Sequence, residues 1–432
     1  MESFFSPLKS AWKIQDLRKK ILVTVLLLVV YRVGVYIPVP GLSAETLRQL
    51  AGSQGGLFGF LDIIGGGAFT QASIFAMSIT PYINASIIMQ LLTIAIPALE
   101  RLQKEGEEGR KKLAAWVRYG TVVLGFLEAT FMYIGFRGAI DPKIPGILSY
   151  LTITFALTAG TAFIMWLGEQ LNEYGIGNGI SLIIFVNILS RAPDAASTLI
   201  DIIKTAAAEG KIINGIVTVL AILVVFVAVI MFVIWVTQAE RRIPVQYAKR
   251  VVGRKMYGGQ STHIPIKVNT AGVIPIIFAM SILAFFPTII GLVAPNTTSP
   301  FWLFLRDFSN NPLYIVVYAI MVIFFTFFYT IMVFNPVELA NNIRKNGGFI
   351  PGIRPGKPTS DYITKVLNRV TWFGAFFLAI VTILPIVLQL FTSVKNMWFG
   401  GTSVLIMVGV ALDTMKQIES QLMMRHYKGF LE

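Results

Sequence analysis

Side chains able to do chemistry are sparse in this chain, and those that stand out lie in apolar sequence. There is no cysteine, so disulfides and thiolate metal sites are excluded. The two histidines, His263 and His426, are far apart, which argues against a histidine metal site or proton relay. No P-loop, zincin or nucleophile-elbow signature is present. The stretch "GIGNGIS", Gly175 to Ser181, is glycine-rich but lacks the phosphate-binding lysine and precedes an apolar run, so it reads as a tight turn. Hydrolysis within a membrane needs a nucleophile with a base, or a chelated metal, and no Ser/Lys or Asp pair has convincing spacing. Asp413 and Lys416 fall near the end of the last apolar run, where an interfacial position accounts for them.

What remains is three polar groups inside long apolar runs, and a set of isoleucines. Asn84 sits in "AMSITPYINASI", Glu128 in "LGFLEATFMY" and Asn269 in "KVNTAGVIPIIF". An acid in hydrocarbon costs about 2.5–3.5 kcal/mol on insertion scales unless it is paired, neutralised or wet. Either the three share hydrogen bonds where their helices meet, or each makes a separate packing contact. Ile79 and Ile83, and again Ile184 and Ile188 in "SLIIFVNI", are four residues apart and so share a helix face. Spacing alone leaves that face open to lipid, to a neighbouring helix or to an internal surface.

The elements that must hold these residues are membrane helices. Of 432 residues 55% are hydrophobic and only 13% charged, with mean hydropathy +0.71, whereas a soluble domain carries about 25% charged residues. Apolar runs at 21–37, 72–98, 115–136, 148–168, 177–191, 214–236, 268–292, 312–334, 370–391 and 400–420 approach or exceed the roughly 20 residues needed to cross a bilayer. The expected fold is an all-α polytopic membrane protein with ten transmembrane helices, and with Pro81 and Pro275 within the second and seventh. With the N-terminus in the cytosol, 27 of the 36 Lys and Arg residues fall on that side, so the positive-inside rule places both termini there. The basic start, residues 1–20, reads as an uncleaved cytosolic leader. Ten spans divide into two fives of opposite entry, an inverted arrangement that encloses a pathway at its interface. A secondary transporter would share that topology but should show several charged groups at mid-span, and here only Glu128 stands out.

Two cytosolic connections are long and basic. Gln238–Lys267 carries Arg241, Arg242, Lys249, Arg250, Arg254 and Lys255; Asn335–Arg369 carries Arg344, Lys345, Arg354 and Lys357. Charge alone is what topology requires. The stretch "IPGIRPGKP", however, sets proline and glycine around one arginine, as a shaped protrusion would.

Six stretches, in order along the chain, resemble the SecY family, the large subunits of the bacterial Sec protein-conducting channel. They are "FGFLDIIGGGAFTQASIFAMSITPYINASIIMQLL", "KEGEEGRKK", "GIGNGISLIIF", "YAKRVVGRKMYGGQSTHIPIKVNTAGVIP", "NPVELANNIRKNGGFIPGIRPG" and "FGGTSVLI". The resemblance implies two pseudo-symmetric five-helix halves around an hourglass pore that also opens sideways. It divides the chain into a cytosolic tail 1–20, a first half 21–191, an external linker 192–213, a second half 214–420 and a tail 421–432. It puts a constriction ring on Ile79, Ile83, Ile184, Ile188, Ile277 and Ile406. A plug falls on Leu57–Thr70, including Phe60, Leu61, Asp62, Ile63, Ile64, Gly65, Gly66 and Gly67, and a lateral-gate polar cluster on Asn84, Glu128 and Asn269. It further implies a passive conduit without cofactor or metal, in the bacterial plasma membrane, that translocates unfolded secretory chains and releases transmembrane segments into lipid. The partners implied are the small subunits SecE and SecG, the SecA motor ATPase, the ribosome through rRNA phosphates and ribosomal proteins, signal peptides and nascent chains. The two basic loops are the docking surfaces, with Arg354 foremost.

Overall fold

The structure is a computed structural model that describes residues 12–53, 62, 65–135, 137–140, 143–247, 250–252, 255–257, 261–293, 299–306, 308, 311–391 and 401–428. The first helices are α1 (Gln15–Gly34), α2 (Ala44–Ser53), α3 (Thr80–Ala95), α4 (Pro97–Lys104), α5 (Glu107–Gly135), α6 (Gly146–Tyr174), α7 (Gly179–Leu189), α8 (Ala192–Ala208) and α9 (Ile212–Gln238). Strands β1 (Glu240–Tyr247), β2 (Arg250–Val252), β3 (Lys255–Tyr257) and β4 (Ser261–Lys267) follow. The chain then forms α10 (Ile274–Val293), α11 (Pro300–Arg306), α12 (Pro312–Val333), α13 (Pro336–Lys345), β5 (Gly348–Phe349), α14 (Lys357–Phe391) and α15 (Gly401–Lys428). A helix lies at each of the ten expected span positions. Among the described residues, five helical stretches are long and apolar enough to cross a membrane, one of them α7 together with α8 and another α12 together with α13, or six if the bent pair α3–α4 is one span.

Two helices begin later than their apolar runs. Residues 65–79 form turns and irregular backbone, and α3 starts only at Thr80 with Pro81 in its first turn. Likewise α10 starts at Ile274 with Pro275 next. The expectation of prolines inside these helices is therefore corrected. A proline lacks the N–H and its ring clashes with the preceding turn, but at a helix start neither defect matters. The second apolar run also breaks at Pro97, where α4 turns away from α3 by 102°.

The chain divides into two compact units: unit 1 is Met1–Ile202 with Ala284–Asn310 and Val410–Glu432, and unit 2 is Ile203–Leu283 with Asn311–Gly409. In unit 1, α5 packs on α3 and α6, while α6 also packs on α1 and α7. The turn segment 65–79 is wedged among them. Phe75 stacks between Tyr31 and Phe163, with ring centroids 5.6 and 5.9 Å away. Phe69, Ala72, Ala76 and Met77 join Ala129, Ile153 and Leu157 in one core. The close approach leaves no room for a Cβ at Gly34, beside the Phe75 ring, or at Gly160, beside the Ile74 carbonyl.

In unit 2, α14 packs on α12 and α9. α9 otherwise leaves Leu220, Val224, Met231 and Trp235 exposed, as a helix bathed in lipid does. Buried threonines in the long helices close their hydroxyls onto the carbonyl four residues back, as Thr121 does on Val117 and Thr326 on Val322. That back-bonding removes a polar group from hydrocarbon.

Adding side-chain volume at Gly160 should show how tightly the wedge is held. Its Cβ would stand 2.0 Å from Ile74 O, and overpacking costs about 1–3 kcal/mol. Gly160→Val should therefore lower the melting midpoint of the detergent-solubilised protein. Gly146→Ala, where nothing lies within 4 Å, should leave the midpoint in place.

Candidate functional site

The isoleucines expected in a ring divide between the units. In unit 1, Ile79 is the residue before α3 and is fully buried, and Ile83 donates its N–H to the Ile79 carbonyl at 3.1 Å. Ile83 is half-buried. Ile184 and Ile188 are buried on α7. That helix is only 11 residues long, and "GIGNGIS" supplies its start. Asn178 Oδ1 accepts from the N–H groups of Ile180 and Ser181 at 3.1 and 3.2 Å, an N-cap. Gly177 has φ +90°, and a Cβ on Gly179 would meet the Gly168 carbonyl. The glycines are thus a turn and a close approach, as the sequence suggested. In unit 2, Ile277 is half-buried in the first turns of α10, and Ile406 is buried on α15.

Of the three polar residues, two meet. Asn84 Nδ2 donates to Glu128 Oε1 at 3.0 Å, joining α3 to α5. Asn269 belongs to unit 2, in the turn before α10; it is buried, and its Oδ1 has no hydrogen-bond partner among the described residues.

The stretch Leu57–Thr70, expected to be a plug, is partly outside the described residues, which include neither Phe60, Leu61, Ile63 nor Ile64. Asp62 and Gly65–Thr70 are described. Asp62 is buried and ion-paired to Arg191, and its Oδ1 accepts from both the N–H and the hydroxyl of Thr70 at 3.0 Å. Arg32 donates to the Gly66 carbonyl at 3.1 Å. Sequence reading missed Arg32 and Arg191, and included Thr70 only as the end of the segment Leu57–Thr70. Arg191 is 129 residues from Asp62, and only an arginine at the end of a short apolar run hinted at it.

The two basic loops form one structure. β1 pairs antiparallel with β4 from its own loop and with β5 from the other, in the order β4-β1-β5. Ile243, Val245 and Ile266 from the sheet share a core with Ala340 and Ile343 of α13, Ile350, and Ile363 and Leu367 of α14. Arg241 and Arg242 stand exposed on β1, and Arg242 pairs with Glu240 at 2.7 Å. Arg250 and Lys255 lie on β2 and β3; Lys249 and Arg254 lie outside the described residues. Arg344 and Lys345 are exposed in the last turn of α13, where the helix dipole favours cations. Arg354 and Lys357 are exposed too. Buried Thr359, also missed from the sequence, donates its hydroxyl to the Arg354 carbonyl at 2.8 Å. With the bond from Ile353 N–H to Ile350 O at 3.0 Å, it pins the backbone that presents the arginine.

These features define a polytopic helical membrane protein with the fold of a protein-conducting channel. A solved structure described as a protein-conducting channel aligns with TM-score 0.63 at 20% identity, covering 93% of this chain and 92% of that one. Sec61 in the canine ribosome-channel complex from the endoplasmic reticulum aligns with TM-score 0.59 at 18% identity, over 93% and 92% of the two chains. The SecY family model matches residues 73–415. The protein translocase subunit SecY of Halalkalibacterium halodurans is 48% identical over 99% of this chain and 100% of its own length. That of Bacillus subtilis is 45% identical over the same shares. The chain belongs to the SecY family.

The Asn84–Glu128 bond makes a measurable prediction. Transmembrane polar bonds average about 0.6 kcal/mol and reach about 1.7. A double-mutant cycle of Asn84→Leu and Glu128→Leu, read by unfolding in detergent, should give a coupling in that range. Strict additivity would remove the bond from the account.

Proposed function

We propose that this chain is the central subunit of a protein translocase, a passive conduit through which unfolded secretory polypeptides cross the bacterial plasma membrane. The observation that carries this reading is the likeness along 99% of the chain, at 48% identity, to a protein named as a translocase subunit. Among the described residues no cluster of acidic, histidine or cysteine side chains could hold a metal ion. The conduit also releases transmembrane segments sideways into lipid. Both termini lie in the cytosol.

In this reading Ile79, Ile83, Ile184, Ile188, Ile277 and Ile406 form the constriction. Branched aliphatic side chains exclude water and ions by dewetting, and they offer a passing chain no hydrogen bond to hold it. Asn84, Glu128 and Asn269 belong to the lateral gate, and Leu57–Thr70 is the plug. The exposed arginines on the β4-β1-β5 sheet and the Arg354 loop dock a SecA-type motor and the ribosome; one solved relative is described as a ribosome-channel complex. SecE- and SecG-type small subunits complete the assembly. Docking of basic loops on phosphates or acidic protein weakens as salt rises.

The test is reconstitution of the assembled complex in vesicles with the motor and a signal-bearing substrate, read by protease protection of the substrate. Failure to protect any substrate would refute the reading. Ile83→Gly with Ile188→Gly should raise resting ion conductance, and an unchanged conductance would remove both from the constriction. Arg354→Glu should impair motor-driven transport while the complex still assembles. Thr359→Val should slow the same step by loosening the Arg354 backbone, and Thr359→Ser should restore it; equal rates for Val and Ser would deny Thr359 a positioning role.

A further inference from the structure

Three polar side chains from three separate elements meet inside unit 1. Tyr31, in the last turn of α1, Asn187, in the last turn of α7, and Ser78, two residues before α3, are all buried. Asn187 Nδ2 donates to the Tyr31 hydroxyl at 2.7 Å, and the Ser78 side chain is hydrogen-bonded to the same hydroxyl. A phenol has one proton to give and lone pairs to accept with, so Tyr31 can hold both neighbours at once. Its ring is fixed as well, stacked on Phe75 with the planes 8° apart. None of the three belongs to the isoleucine set, to the Asn84–Glu128 pair or to Leu57–Thr70.

What they share is their neighbours in the chain. Ser78 precedes Ile79 and Asn187 precedes Ile188, and both isoleucines are buried. The path from Ile79 to Ile188 therefore runs through Ser78, the Tyr31 hydroxyl and Asn187. Hydrophobic packing is non-directional, whereas a hydrogen bond weakens steeply off its axis, so this path fixes position where packing alone would fix only burial. The backbone gives a second sign that the place of Ile79 is held. Ser78 has φ +52°, in the left-handed region that residues other than glycine rarely adopt. Such backbone persists where its surroundings over-determine it. Here the Ser78 N–H donates to Phe75 O at 2.8 Å and the Thr80 N–H to Met77 O at 3.3 Å, while Tyr31 holds the side chain.

We propose that Tyr31, Ser78 and Asn187 are positioning residues for the constriction. The bonds converging on the Tyr31 hydroxyl fix Ile79 relative to Ile188, and so set how well the unit 1 share of the ring excludes ions. This rests on the reading of those isoleucines as the constriction. Tyr31 acts on the ring through Ser78 and Asn187.

The test measures the resting ion conductance of the assembled complex in planar bilayers, beside the melting midpoint of the same variants in detergent. Tyr31→Phe keeps the ring and its stack but takes the partner from a buried amide and a buried hydroxyl, and conductance should rise about tenfold. Asn187→Leu should raise it by a similar factor. Combined with Tyr31→Phe it should add little, because each breaks the same link. Ser78→Gly removes the hydroxyl but also relieves the positive φ, so its midpoint should stay near that of the parent while conductance rises. Ile153→Ala, which opens a cavity in the core of the same unit, should lower the midpoint and leave conductance in place. Unchanged conductance in Tyr31→Phe, Asn187→Leu and Ser78→Gly, while Ile83→Gly with Ile188→Gly leaks, would overturn the positioning role. If that isoleucine pair does not leak either, the constriction reading falls and the proposal with it. Conductance that tracks the loss of midpoint across all the variants, Ile153→Ala included, would reduce the three residues to general packing and overturn the proposal. Additive effects of Tyr31→Phe and Asn187→Leu would overturn the shared link.

Discussion

Backbone N–H and C=O groups cannot be left bare in hydrocarbon, and that constraint shapes everything around the candidate site. Long helices meet it internally. The stretch Gly65–Ile79 cannot, because it is not helical, and such backbone survives in a membrane protein only where protein surrounds it. Unit 1 provides the surroundings. Val39 N–H donates to Ala72 O at 2.8 Å, Ile74 N–H to Ile37 O at 3.0 Å, and the Ser73 hydroxyl to Gly34 O at 3.1 Å. The glycines at 34 and 160 and the Tyr31–Phe75–Phe163 stack follow from the same need. They let the helices close on an irregular stretch of chain.

Outside the spans the problem is different, and unit 2 solves it with strands. Neither basic loop has enough apolar residues for a core of its own. Pooled across β1, β4, α13, Ile350 and the start of α14, their isoleucines, leucine and valine make one. The charges are consequently held on a packed platform, and Arg354 projects from backbone fixed at Ile353 and Thr359. A flexible loop would lose more freedom on docking than this platform does.

Hydropathy and charge made the spans legible, because burial in lipid needs nothing beyond length and composition. Helix starts were less legible. Reading 72–98 as one run ignored that a proline is best placed in a helix's first turn, which is where the structure puts both Pro81 of α3 and Pro97 of α4. The alternation of Ile243 with Val245, and of Ile264 with Ile266, was a visible strand signal within a loop read only for charge. The pairing of β1 with β5 was not visible, since it joins segments about a hundred residues apart whose affinity lies in shared burial. The same holds for Asp62 and Arg191. Each alone is a charge in an apolar neighbourhood, and only the fold identifies the partner.

The polar residues of the site also differ in what their bonds can do. Asn84 and Glu128 join α3 and α5, helices already packed along their length, so that bond adds to the rigidity of unit 1. Asp62 and Gly66 are held otherwise, by side-chain bonds from Arg191, just beyond the end of α7, and from Arg32, in the last turn of α1. In unit 1 the charges on Arg32, Asp62 and Arg191 give these residues few and local attachments, where Asn84 and Glu128 reinforce a long helix–helix contact.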